Sequence, residues 1–402
     1  MAGFEYSERT LSCDLLEQEQ SALETWLDGL YPRAGRLILE DGTIFEGTSF
    51  GHPGASAGEV VFSTGMVGYP ESLTDPSYAG QLLALTYPLV GNYGVPEQHF
   101  WEDDRMHVSG LIVSDYIDIP SHAQSTMNLG TWLQRERIPG LVVKDTRLLT
   151  QHIRKHGVML GKIVFENDIP FYDPNNENMV ARVSTREVQA QGEGDVTIAL
   201  IDCGAKRTIE RCLLARNARV ISVPWDYDLF TPEVDFTFDG IVISNGPGNP
   251  KQVKETITTI RKALERRVPV FGICLGHQLL ALAAGGDTYK LPFGHRSQNQ
   301  PSVLHGTKRC YITTQNHGYA VGTLPPDFTP WFVNANDGSN EGIQHIEYPF
   351  FSVQFHPEAM PGPVDTEWLF DYFLASIRAR SASRKSGVDG WLERHFLEKV
   401  RG

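Results

Sequence analysis

Val268-Pro269-Val270-Phe271-Gly272-Ile273-Cys274-Leu275-Gly276-His277-Gln278 reads as a strand that runs straight into a helix. Cys274 stands at the junction, between Gly272 and Gly276. Two glycines let the chain turn sharply and pack closely, so the side chain between them is pushed out at the top of a sheet. The N-terminus of the helix lies just behind that side chain, and its partial positive charge favours the thiolate. The alternative at this point is a buried cysteine at an ordinary strand end.

The same alternation continues on both sides of this stretch. Val196–Ile201, Arg219–Val223, Gly240–Ser244 and Val268–Ile273 read as apolar strands, and Lys206–Asn217, Lys251–Arg266 and Leu275–Ala284 as helices between or after them. Such a series implies a doubly wound, mostly parallel α/β sheet, whose working groups gather beyond the C-terminal ends of the strands. Upstream, Arg36–Glu40, Asp41-Gly42 and Thr43–Gly47 read as a hairpin with a type I′ turn. Further strands are expected at Glu59–Ser63 and His107–Ser114, then a helix–strand–helix–strand series to Phe165, which together make a smaller α+β domain. The expected division is an N-terminal extension at 1–34, the α+β domain at 35–186, a polar linker at 187–195, the α/β domain at 196–380 and a basic, partly helical tail at 381–402. Leu15, Leu16, Leu23 and Trp26 would share one face of a helix within Asp14–Leu30. No internal repeat or low-complexity tract interrupts this order.

Composition narrows the class. At 402 residues the chain has room for two or three domains of ~150 residues. With Lys plus Arg at 35 and Asp plus Glu at 49, the net charge is −14, which argues against nucleic acid or an anionic membrane as a partner held by bulk charge. No apolar run approaches the ~18 residues of a membrane span. The first residues lack the basic-then-apolar pattern of a secretory leader, so a cytoplasmic location is expected. Cys13, Cys203, Cys212, Cys274 and Cys310 form no Cys-x-x-Cys pair, and neither a disulfide framework nor a structural metal is expected.

Two other stretches bear on Cys274. Phe351-Ser352-Val353-Gln354-Phe355-His356-Pro357-Glu358 reads as a strand ending in His-Pro-Glu. His356 and Glu358 would share one side of an extended chain, giving a base oriented by a carboxylate, which is what activates a cysteine. Alone, it reads equally as a surface turn. Ser244-Asn245-Gly246-Pro247-Gly248-Asn249-Pro250 follows a strand and would expose backbone N–H groups able to hold a carboxylate or an oxyanion.

Together, Gly246-Pro247-Gly248, the elbow around Cys274 and His356-Pro357-Glu358 resemble the class I, triad glutamine amidotransferases. Leu39-Glu40-Asp41-Gly42-Thr43, Gly58–Phe62, Gly68–Tyr78, Leu85–Gly94 and Gln315–Val321 look like the small subunit of carbamoyl phosphate synthetase, and the match runs over about Arg36–Arg378. The resemblance implies hydrolysis of glutamine to glutamate and ammonia, with Cys274 as nucleophile, His356 as base and then acid, and Glu358 orienting His356. It further implies an oxyanion site at the N–H groups of Gly248 and Leu275, and glutamine contacts at Ser77, Gly246, Gln278, Asn316, Gly318 and Tyr319. Ammonia would pass by a sheltered route to a large subunit that uses ATP, magnesium and bicarbonate to make carbamoyl phosphate for arginine and pyrimidine synthesis. This chain itself has no Walker A pattern and is expected to hold no cofactor and no metal. Tyr319 departs from the phenylalanine usual at its position, and Gly294–Pro301 ends in the variant Asn-Gln-Pro. Two other readings are an amidotransferase subunit of another synthase and a catalytically silent scaffold. A third, a cysteine peptidase, fits the Asn-Gly-Pro-Gly and Asn-His-Gly stretches less well.

Overall fold

The computed structural model of the protein describes residues 32–386, with side chains as far as residue 381. The helix expected within Asp14–Leu30, Cys13 and most of the basic tail lie outside the described residues. Cys203, Cys212, Cys274 and Cys310 are free thiols. None of the described helices is long and apolar enough to cross a membrane.

The first half builds a closed barrel. Its strands are β1 (Ala34–Leu39), β2 (Ile44–Ser49), β3 (Ser56–Ser63), β4 (Gln81–Leu85), β5 (Gly110–Val113), β6 (Gly140–Val142) and β7 (Met159–Val164). They join in the order β1-β2-β6-β5-β4-β3-β7, closed by β7 on β1. Period-two alternation sorts the side chains. Leu37, Phe45, Val60, Leu82, Ile112, Leu141 and Ile163, one from each strand, share one core. Val61, Leu83, Leu85, Leu111 and Val113 point the other way, against Trp132 of helix Leu129–Arg135 and Leu73 of helix Tyr69–Thr74.

The β1–β2 hairpin forms in the expected place with a different turn. Only Gly42 has a positive φ, at 88°, whereas a type I′ turn needs two such residues. The bonds Gly42 N–H to Leu39 O and Leu39 N–H to Thr43 O close a three-residue loop with the glycine at its bulge. The Asp41 carboxylate accepts from Thr43 N–H and suits an ordinary, negative φ.

The second half is one sheet of ten strands. It contains β8 (Gln189–Gln191), β9 (Val196–Asp202), β10 (Ala218–Pro224), β11 (Gly240–Ile243), β12 (Val270–Ile273), β13 (Asp287–Leu304), β14 (Cys310–Thr323), β15 (Phe328–Asn334), β16 (Asn340–His345) and β17 (Phe350–Val353). The order is β14-β13-β15-β16-β17-β12-β11-β9-β10-β8. The five strands β10, β9, β11, β12 and β17 are parallel. The remaining strands add on as antiparallel neighbours. Both faces of the parallel strands are apolar and covered, as a parallel sheet requires. Ala199, Ile201, Ile241 and Ile243 face one core, and Ile198, Leu200, Val242 and Phe271 the other.

The segment 187–195, expected as a linker, contributes β8, which pairs with β10 and forms an edge of the sheet. Its three residues are exposed and polar, so nothing in their hydrophobicity announces a strand; the open edge of β10 is what orders them. From β9 the chain goes outward to β10 and then back past β9 to β11 and β12. The direction of winding therefore reverses between β9 and β11, and the crevice at their C-terminal ends is where such sheets bind ligands.

Candidate active site

Cys274 follows β12 directly and caps helix Leu275–Ala283 with φ 53° and ψ −101°. A non-glycine residue rarely holds a positive φ, and such strain collects at functional sites. The neighbouring glycines make it possible. A Cβ on Gly272 would lie 2.5 Å from Gly276 O, and one on Gly276 only 2.2 Å from Ile243 O, so helix and strand close to a distance no side chain permits. Gly276→Ala is therefore expected to destabilise the chain by about 3 kcal/mol, read as a lower urea midpoint at unchanged m-value. An unchanged midpoint would contradict this packing.

His356 lies just beyond β17, and its N–H donates to Thr314 O at 2.9 Å. Its Nδ1 meets Glu358 Oε1 at 2.6 Å. The two were expected on one side of an extended chain. Instead they meet across a turn closed by Ala359 N–H to His356 O at 3.1 Å, because Pro357 starts a bend rather than prolonging the strand. Lys206 is 3% exposed, and its Nζ donates to Glu358 Oε1 at 3.0 Å and to Ala359 O at 2.9 Å. Glu102, from the first half of the chain, lies 4.0 Å from the same ammonium. Its carboxylate accepts from Thr208 N–H and Oγ1–H.

Charge in this buried row sets the protonation states. Burial would raise the Glu358 carboxyl, but Lys206 and His356 override it and hold it down at about 2. Burial would lower His356, but Glu358 and Cys274 push it up to about 10. Both neighbours therefore favour the protonated imidazole. Its Nε2 is buried without a partner at hydrogen-bonding geometry, yet Cys274 is near enough to act on it through charge. Cys274 Sγ also contacts Asn316 O at 3.6 Å and accepts from Gln354 Nε2 at 3.7 Å.

A cavity of about 410 Å³ opens beside Cys274. Ser77, Gly246, Gly248, Leu275, Gln278, Asn316, Gly318 and Tyr319 all line it, so every residue expected to touch substrate is brought to one place. Among the described residues, the N–H groups of Gly248 and Leu275 donate to nothing, which leaves both free for an oxyanion. Ser77 reaches the pocket from the barrel half. It accepts from Asn245 Nδ2 at 2.8 Å, while Asp75 holds Asn245 and Asn316 with its two oxygens. The additional hydroxyl of Tyr319 donates to Asn175 Oδ1 at 3.0 Å, and so ties the pocket wall to the barrel half rather than filling the cavity.

A second cavity, of about 360 Å³, lies against His356, Lys206, Asp75 and Glu71. Asn316 lines both cavities.

Two family descriptions match the chain: carbamoyl-phosphate synthase small chain, CPSase domain, over residues 37–163, and glutamine amidotransferase class-I over residues 199–376. The chain thus joins a carbamoyl-phosphate synthase small-chain domain to a class-I glutamine amidotransferase domain. It is 46% identical over 370 residues to the human protein named "Carbamoyl-phosphate synthase [ammonia], mitochondrial", covering 89% of this chain and 24% of that protein. It is 47% identical over 389 residues to "Multifunctional protein URA2" of Saccharomyces cerevisiae, covering 85% of this chain and 17% of that protein. The chain thus spans about a quarter or less of the relatives it matches.

The small-chain domain supplies Ser77, Asp75 and Glu102, and the segment between the two matched domains supplies Asn175, to a site otherwise built by the amidotransferase domain. Of these, only Ser77 was expected from the sequence. Lys206 could have been sought, since it follows the C-terminal end of β9, where such a sheet places its working groups. Glu102 and Asn175 carry no local signal. His295, His317 and Glu341 also come together, but both His317 nitrogens face oxygens, Tyr319 O at 2.8 Å and Gln315 Oε1 at 3.1 Å. Asn334 and Gln315 already donate to Glu341.

Proposed function

We propose that this chain is the glutamine-hydrolysing part of a carbamoyl phosphate synthetase, with a separate large synthetase subunit as partner. The observation that carries the reading is the meeting of Cys274, at its strained elbow, with the His356–Glu358 pair beside a pocket walled by both domains. The Cys274 thiolate attacks the side-chain amide carbon of L-glutamine. The oxygen's developing charge falls to the N–H groups of Gly248 and Leu275, each typically worth ~3 kcal/mol of barrier. His356, already protonated, gives its proton to the amide nitrogen, and the C–N bond breaks to release ammonia. The neutral imidazole then takes a proton from water, whose oxygen attacks the thioester carbon and frees glutamate and the thiolate. Glu358, fixed by Lys206, keeps Nδ1 of His356 engaged and Nε2 directed at the reaction.

Ammonia that escapes into water becomes ammonium, a poor nucleophile. The second cavity touches His356 and shares the lining residue Asn316 with the first, which supports a sheltered path toward a consuming partner. ATP and magnesium belong to that partner, where bicarbonate and ammonia become carbamoyl phosphate for arginine and pyrimidine synthesis. A cytoplasmic location is part of the same proposal, although the human relative's name places that protein in mitochondria.

The test measures glutamate released from L-glutamine by the chain alone and with a large carbamoyl phosphate synthetase subunit. Slow hydrolysis that accelerates when the partner, ATP and bicarbonate are added is the expected result. A folded chain that releases no glutamate in either condition would leave the silent-scaffold reading standing.

A further inference from the structure

The wall of the glutamine pocket contains a buried cation with no direct ion-pair partner among the described residues; Glu59 acts on it only at a distance. Arg296 is 5% exposed and lines the cavity together with Cys274 and Gly318. It belongs to the stretch Gly294–Pro301, to which the mechanism above gives no task. β13 shifts register on either side of it, between Lys290 and His295 and between Ser297 and Gln300, which leaves Arg296 opposite Asn316 on β14. Such bulges re-aim a side chain.

Few of the guanidinium's donors are used. Nη1 donates to Phe293 O at 3.0 Å, and Nε is buried with no partner at all. Among the described residues no carboxylate pairs with it. Glu59 lines the same cavity, but Lys290, Asn175 and Gln81 already engage its oxygens. Gly318 and Gly294 press close: a Cβ on either would lie 3.3 Å from Nη2 or 2.5 Å from Nη1. The glycines thus clear a berth that holds the guanidinium against backbone. A charge taken out of water without a partner is costly, and a planar fork of N–H donors matches a carboxylate.

We propose that Arg296 binds the α-carboxylate of the glutamine substrate. The inference rests on the glutaminase reading and adds to it the group that selects an α-amino acid over a simple amide. The carboxylate supplies the missing direct ion-pair partner and can accept from the idle donors, while Cys274 addresses the amide at the other end of the molecule.

The experiment compares wild type, Arg296→Gln and Arg296→Lys, each assembled with the synthetase partner, on L-glutamine and on 4-aminobutanamide. The second compound is glutamine without its α-carboxylate. In Arg296→Gln the KM for glutamine should rise about 30-fold, the range of a lost charged hydrogen-bond pair, with kcat within about threefold. The same change should leave kcat/KM for 4-aminobutanamide nearly as in wild type, so discrimination between the two compounds collapses. Arg296→Lys, which keeps the charge and loses the fork, should fall between. Equal losses on both compounds would mean that Arg296 only supports the wall and would overturn the proposal, as would undiminished discrimination. Should Arg296→Gln not fold, Arg296→Lys decides by the same comparison. Failure of the glutaminase reading shows separately, as wild-type hydrolysis that persists in Cys274→Ala.

Discussion

Replacing Cys274 by alanine is expected to lower glutamine hydrolysis by about 10⁵-fold, the scale seen when a triad loses its nucleophile. Substrate should still bind, because the residues that line the pocket with Cys274 are untouched. The substitution removes one sulfur from a site that is 2% exposed and leaves backbone and glycines as they were. Folding should therefore be preserved, and carbamoyl phosphate synthesis from added ammonia should continue in the assembled enzyme. The measurement is glutamate release beside ammonia-dependent synthesis. Retention of more than about 1% of the glutamine-dependent rate would sink the thioester mechanism.

The second large effect is on stability. Lys206→Met removes the ammonium that faces Glu358 and Glu102, both fully buried carboxylates. Breaking a buried pair from one side typically costs about 3–5 kcal/mol, because the remaining charge is stranded. The pH dependence identifies the cause. In wild type, Glu358 sits below its ordinary value of 4.5, at about 2, so its contribution is complete above 4.5 and is lost as pH falls toward 2. Without Lys206 the Glu358 carboxyl rises toward 4.5, so the gap between its folded and unfolded values narrows and the acid-dependent loss of stability shrinks. His356 is raised from 6.5 to about 10, so its contribution is complete below 6.5 and fades as pH rises toward 10. That alkaline limb should survive in Lys206→Met, since Glu358 still faces the imidazole. Urea midpoints followed from pH 3 to pH 10 test both limbs, and an unmoved acid limb would contradict the assignment.

The elbow at Cys274, the alternation from Val196 to Ala284 and the His-Pro-Glu end were legible because each is a local pattern. Gly272 and Gly276 announce close approach, and an apolar run of four to seven residues between helices announces a buried parallel strand. Reading failed where neighbours from afar decide. Asp41-Gly42 suits two turn types, and the strands around it selected the bulged one. Gln189–Gln191 has no strand signal and pairs only because β10 offers an edge. The strands between Ala34 and Val164 could be guessed one at a time, yet their closure depends on β7 finding β1 across more than a hundred residues.

The candidate site divides in the same way. The sequence by itself determined the chemistry: a thiol at a glycine-framed strand end, a histidine with a carboxylate two residues on, and backbone donors in a Gly-Pro-Gly loop. Those follow from short-range geometry, which a few residues control. The tertiary structure alone decided the electrostatics. It buried Lys206 between Glu358 and Glu102, residues 152 and 104 positions away, and it left Arg296 in the pocket wall without a direct ion-pair partner. A side chain's charge is written in the sequence. Its cost and its effect depend on how much water the fold removes and which partner the fold brings near.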